Sequence, residues 1–255
     1  MSNPLYETMF GKYAGHSTTF LYLPDGKTIS HDFFIRMAGR SANALSKLGL
    51  AVGDRVAVQV EKCPEALTIY AACVQSGLVY LPLNAAYTPA EVSYFIENSG
   101  AKLFICQSSK EDELVAVAEK CGALLETFNA DGTGSFTELT RNKDDSFKTV
   151  ERDGEDLVAL LYTSGTTGRS KGAMLSQNNL LSNAETLVEL WKFTEKDVLL
   201  HALPIFHTHG LFVATNVTLA AGGSMIFMPK FDLDSIIENL PSATTMMGVP
   251  TFYTR

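Results

Sequence analysis

Leu157-Val158-Ala159-Leu160-Leu161-Tyr162-Thr163-Ser164-Gly165-Thr166-Thr167-Gly168-Arg169-Ser170-Lys171-Gly172-Ala173-Met174-Leu175 is the stretch on which the fold turns. Residues 157–162 form an apolar run of strand length, and 172–175 form a second. From Tyr162 to Gly172 the chain carries three glycines, four hydroxyl residues after Thr163, one Arg and one Lys. Glycine lets the backbone turn its N–H groups inward, and hydroxyls add further donors. Lys171 adds a mobile positive point charge, which suits a polyphosphate. The competing reading is a surface hairpin turn in which Gly and Thr serve geometry alone. The length and order of the stretch favour phosphate. It is not a Walker loop. Counting from Gly165, the required second glycine falls on Ser170, Lys171 is followed by Gly172, and the next element is a strand rather than a helix.

On either side, strands and helices alternate. Ser30 caps a helix over 31–48, stopped by Gly49. Strand 55–60 follows, then a helix opened by Pro64 and stopped by Gly77, and strand 79–83. Pro89 opens a helix to 98, with strand 102–106, helix 111–120 and strand 123–127 after it. Residues 129–156 are polar and acidic, with one short helix expected from a capping box at Ser135–Glu138. Beyond the loop come helix 178–191, strand 198–203, helix 209–220, strand 224–228, helix 233–240 and strand 244–247. This rhythm predicts an α/β fold with mostly parallel sheets. The segments opened by Asp54 and by Asp197 share one βαβαβ order, so two related halves are expected, 1–128 and 157–255, joined through 129–156.

Composition narrows the function. The chain has 255 residues, 46% of them hydrophobic and 19% charged, with a formal charge of −8. A polyanion such as nucleic acid, or an anionic membrane, is repelled overall, so a bound phosphate must sit in one local nest. The first residues show no basic run followed by an apolar stretch. Cys63, Cys73, Cys106 and Cys121 stand in apolar settings without zinc spacing, and are read as buried free thiols in a reducing cytoplasm. The uncharged stretches 66–90 and 201–229 are interrupted by Gly, Pro, Asn and Thr, so buried core is expected rather than a membrane span. Residues 250–255 look like the first turn of a helix without its remainder.

Thr163–Gly172 resembles the phosphate loop of the adenylate-forming enzymes, a family of acyl-CoA synthetases, luciferases and adenylation domains. The match extends over nearly the whole chain and includes Leu203-Pro204-Ile205-Phe206-His207. Gly168–Ser176, His207–Phe212 and Gly248–Arg255 are similar, more narrowly, to malonyl-CoA synthetases. The resemblance implies the N-terminal portion of that fold, with two related mixed or mostly parallel sheets and helices packed between and around them. It also implies a two-step reaction. A small-molecule carboxylic acid attacks the α-phosphate of Mg²⁺-bound ATP to give acyl-AMP, and the thiol of coenzyme A then displaces AMP.

In that frame Thr163, Ser164, Gly165, Thr166, Thr167, Gly168 and Lys171 hold the phosphates, and Thr166 or Thr167 offers an oxygen to Mg²⁺. His207 matches the position beside the acyl pocket, with a satisfied structural histidine as the alternative. Arg255 matches an arginine suited to a second substrate carboxylate, with a solvated helix arginine as the alternative. His209 and His201 are read as structural, and Arg169 as an exposed loop charge. His16 and His31 are read as lying in exposed or capping contexts. The expected whole protein is a cytoplasmic malonate-activating CoA ligase. A ligase for another short or aromatic acid, and a non-catalytic shortened product, are the alternatives. The family's later motifs, including its Tyr-Gly-x-Thr-Glu segment, ribose-binding Asp, hinge and C-terminal lysine, are absent from these 255 residues. On its own, this chain is expected to show negligible malonate-dependent pyrophosphate release.

Overall fold

Unbroken apolar runs such as Val56–Val58 and Leu103–Cys106 suit strands covered on both faces, and the fold is built around them. The computed structural model describes residues 3–163 and 170–254. Its α-helices are Pro4–Met9 (α1), His31–Lys47 (α2), Pro64–Ser76 (α3), Pro89–Ser99 (α4), Glu111–Cys121 (α5), Ser135–Thr140 (α6), Gln177–Trp191 (α7), Asn216–Ala221 (α8) and Leu233–Asn239 (α9). Its strands are Thr19–Tyr22 (β1), Thr28–Ser30 (β2), Arg55–Gln59 (β3), Val79–Pro82 (β4), Leu103–Cys106 (β5), Leu124–Thr127 (β6), Leu157–Thr163 (β7), Lys171–Ser176 (β8), Val198–His201 (β9), Ser224–Phe227 (β10) and Thr245–Met246 (β11).

One sheet has the order β6-β5-β3-β4-β7-β8 and the other β11-β9-β10-β1-β2. Each is parallel except for its last pair, β7–β8 in one and β1–β2 in the other. The fold is therefore α/β with two related mixed sheets, as expected. The relation is closer than the sequence indicated. In both sheets the third strand of a βαβαβ run pairs with the first, the second lies on the other side, and an antiparallel hairpin follows it. Along the chain each hairpin precedes its own run, yet it completes the sheet of the other. The sheets thus divide the chain elsewhere than at 129–156. Residues 157–176 extend the sheet of 55–127, and residues 19–30 extend that of 198–246. The physical reason is that β4 and β10 each have an open parallel edge, which β7 and β1 fill.

Two compact units result, Met1–Pro4 with Arg36–Gln177, and Leu5–Ile35 with Asn178–Arg255. In the first, Ala57, Val79, Leu81, Phe95, Ile96 and Phe104 form the core beneath α4. The acidic connection lies strapped to α2 and α3 of that unit. Arg36 Nε donates to Asp145 at 2.7 Å, Asn43 donates to the carbonyls of Asp144 and Ser146, and Gln75 donates to that of Phe147. Side chains thereby satisfy a backbone that forms no ladder. In the second unit, Leu200, Ala202, Ile226, Met228 and Ile236 pack together.

Several expectations need correction. The 135–140 helix exists, but Ser135 does not cap it. Its hydroxyl accepts from the Thr127 N–H and donates to Glu126, while Gly134 turns the chain ahead of the helix. The helix expected over 209–220 is a π-turn over His209–Thr215 followed by α8. Three of the four thiols are buried, and Cys121 is half-buried. His31 is not a solvated cap residue. It is 1% exposed and packed between aromatic rings, its centroid 4.3 Å from that of Tyr13 and 4.9 Å from that of Phe20.

Candidate functional site

Thr163 and Lys171 face each other in the β7–β8 ladder, one register step beyond the Tyr162–Gly172 pair. An antiparallel pair holds the two ends of the intervening segment side by side. Helix α4 braces this root. Tyr94 donates its hydroxyl hydrogen to the Ser170 carbonyl at 2.8 Å, and Tyr162 donates to Asn98 Oδ1 at 2.6 Å. The Phe95 ring lies 4.5 Å from that of Tyr162. Burial pushes the Tyr162 hydroxyl up to about 12, so it stays a donor. Thr163 and Lys171 are both exposed. The Lys171 ammonium therefore stands in solvent at the mouth of the loop, where it can meet a phosphate at little desolvation cost.

Ser164, Gly165, Thr166, Thr167, Gly168 and Arg169 lie outside the described residues, and so does Arg255. The sequence reading did not single out Tyr94, Phe95 and Asn98. Asn98 lies four residues after Tyr94 and three after Phe95, so it neighbours both on the helix surface, but that spacing does not say what the face meets.

His207 belongs to the other unit. It sits on the segment between β9 and the π-turn. Its ring packs on Phe206, centroids 4.5 Å apart, and its carbonyl accepts from the Leu211 N–H at 3.0 Å. Partial desolvation lowers its affinity for a proton, so the ring favours the neutral form. A neutral imidazole carries one donor and one acceptor, enough to orient an acyl oxygen. His209 opens the π-turn, and His201 is buried in β9 as expected. Among the described residues no group of three His, Cys, Asp or Glu side chains could hold a metal. Among them, too, no helix is long and apolar enough to cross a membrane.

Comparison with known proteins places these features in context. The family model described as AMP-binding enzyme matches residues 11–255. Crystal structures of apo and of ATP-bound MatB from Rhodopseudomonas palustris match with a TM-score of 0.96 and 53% identity, covering 100% of this chain and 51% of theirs. A malonate–CoA ligase of Arabidopsis thaliana is 30% identical over 231 residues, which is 85% of this chain and 38% of that protein. A feruloyl-CoA synthase of an Amycolatopsis species is 31% identical over 230 residues, 89% of this chain and 45% of that protein. The chain thus spans about half, or less, of the length of each of these proteins.

Proposed function

The chain belongs to the AMP-binding enzyme family, and from that premise we propose that the whole protein is an ATP-dependent acyl-CoA synthetase that activates malonate or a 2-substituted malonate. The observation that carries this reading is the glycine- and hydroxyl-rich connection from Thr163 to Lys171, held between antiparallel strands. The likeness to MatB and to a malonate–CoA ligase supports malonate as the acid.

In the first step a carboxylate oxygen of the acid attacks the α-phosphorus of ATP, forming the acyl–phosphate bond as the bond to pyrophosphate breaks. In the second, the sulfur of coenzyme A attacks the acyl carbon and AMP leaves. Two anions must meet in the first step, so the protein's contribution is positional and electrostatic. Thr163, Ser164, Gly165, Thr166, Thr167 and Gly168 cradle the β- and γ-phosphates with backbone N–H and hydroxyl groups. Lys171 neutralises charge there and then on departing pyrophosphate. The hydroxyl oxygens of Thr166 and Thr167 are hard donors that fit Mg²⁺, which would arrive with the nucleotide and withdraw charge from its phosphates. His207 orients the acyl oxygen. Arg255 pairs with the second carboxylate of malonate, a charge too costly to bury alone.

An aromatic acid is the second reading, favoured by the likeness to a feruloyl-CoA synthase. One assay separates the two. Pyrophosphate release by the full-length protein is measured with malonate, methylmalonate, acetate and ferulate. Stimulation greatest with the dicarboxylates is expected. Preference for ferulate would replace the substrate, and no stimulation by any acid would overturn the activity.

A further inference from the structure

The eight residues 202–209 that carry His207 are closed at their root by a buried side chain. Strand β9 ends at His201, which is 1% exposed. Its Nε2 lies 2.8 Å from the Gly210 carbonyl oxygen and 3.2 Å from Thr215 Oγ1. A carbonyl oxygen only accepts, so this nitrogen carries the hydrogen. Thr215 Oγ1 donates to the same carbonyl at 3.0 Å. The imidazole stands edge-on to the Phe227 ring of β10, centroids 5.5 Å apart at 66°. His201 is therefore held by the neighbouring strand while it reaches nine residues forward along its own chain.

Two more constraints act on the same loop. A Cβ on Gly210 would come within 2.0 Å of the Pro204 oxygen, so glycine alone lets the two ends of the segment approach. The turn that follows is wound wider than an α-helix, with the Asn216 N–H reaching the Leu211 carbonyl five residues back. That winding brings residue 215 over residue 210, where its hydroxyl meets the carbonyl that His201 holds. Wide turns of this kind concentrate at functional sites. The turn's first backbone bond, from the Leu211 N–H, ends on the carbonyl of His207 itself.

We propose that His201 is a positioning residue for His207. Its bond to the Gly210 carbonyl, shared with Thr215, fixes the start of the π-turn and so the place from which His207 meets the substrate carboxylate. The role rests on the acyl-site reading of His207 given above. His201 itself is enclosed and touches no reacting atom.

The test uses the full-length protein with His201→Leu, which removes the donor and keeps bulk, and His201→Gln, which keeps an N–H of similar reach. Thr215→Val removes the second donor to the same carbonyl. The first readout is hydrogen exchange at the Leu211 amide. It should quicken roughly 10-fold in His201→Leu, move the same way in Thr215→Val, and stay near wild type in His201→Gln. The second readout is malonate-dependent AMP formation. A fall of roughly 10- to 100-fold in kcat/KM for malonate is expected in His201→Leu, with KM for ATP within about twofold of wild type and most activity restored in His201→Gln.

Unchanged Leu211 exchange in His201→Leu would overturn the proposal. So would a loss spread equally over malonate and ATP, because that marks a general structural role. If His201→Leu does not fold, Thr215→Val carries the same two readouts through the shared carbonyl. Wild-type protein that forms no AMP with any acid overturns the acyl-site reading instead, a result that does not involve His201.

Discussion

Tyr94 donates its hydroxyl hydrogen to the carbonyl oxygen of Ser170 across 2.8 Å, joining helix α4 to the residue just before Lys171. The two partners are 76 residues apart in sequence. The bond fixes one foot of the glycine-rich loop to a rigid element, as a precise binding site requires.

Replacing Tyr94 by Phe keeps the ring and removes the bond. A neutral hydrogen bond is worth about 1 kcal/mol net, so stability should fall by about that amount and KM for ATP should rise roughly 3- to 10-fold. Steady-state kinetics with ATP varied at saturating malonate measure this. An unchanged KM for ATP would mean that the loop does not depend on its foot.

Lys171→Met preserves length and removes charge. Loss of charge-assisted bonds worth about 1.5–3 kcal/mol predicts a drop of roughly 10- to 150-fold in acid-dependent ATP–pyrophosphate exchange. Because Lys171 is exposed, the thermal midpoint should stay close to wild type. A variant with wild-type exchange would remove Lys171 from the phosphate site.

Arg255→Ala should separate diacids from monoacids. Leaving the second carboxylate unpaired costs roughly 2–5 kcal/mol, so kcat/KM for malonate should fall at least about 30-fold while any activity with acetate stays within about threefold. Equal losses with both acids would assign Arg255 a role unrelated to the second carboxylate.

His31 makes stability depend on pH. Burial, partly opposed by its bond to the Gly223 carbonyl and reinforced by nearby His16 and Lys12, pushes its pKa down from 6.5 to about 4. The unfolded chain therefore takes up a proton near 6.5 that the folded chain refuses until about 4, and stability is lost as pH falls through that window. The loss amounts to about 3 kcal/mol by pH 4 and none above pH 7.5. Urea unfolding between pH 8 and pH 4, wild type against His31→Gln, checks it. Identical pH slopes for the two proteins would exclude His31 as the source.

Much of this architecture was legible because its punctuation is local. Pro64 and Gly77 bracket α3 at its observed limits, and Gly77, Gly100 and Gly122 each end a helix with left-handed backbone at φ 70°, 63° and 67°. The phosphate reading of 163–172 rests on residue types and their order alone. What could not be read depends on partners distant in sequence. β1 and β2 are four and three residues long and acquire meaning only beside β10. The π-turn is accompanied by a hydrogen bond that spans nine residues, from His201 to the Gly210 carbonyl. The bracing of the loop by Tyr94 and Asn98 needs the α4 face to meet β7 and its loop, which no local pattern states.

The exchange of hairpins between the two repeats sets a schedule for the growing polypeptide. Leu21 must pair with Met225, so about 200 residues, roughly 10–40 s of ribosomal elongation, separate the synthesis of one strand from that of its neighbour. The unit built mainly from Arg36–Gln177 can close first. Throughout that interval Phe20 and Leu21, wholly buried in the finished protein, have only β2 beside them, and the edge that will meet β10 stays unfilled. They form a waiting apolar edge of the kind that chaperones shield, and one the cell must keep from pairing with a neighbour's.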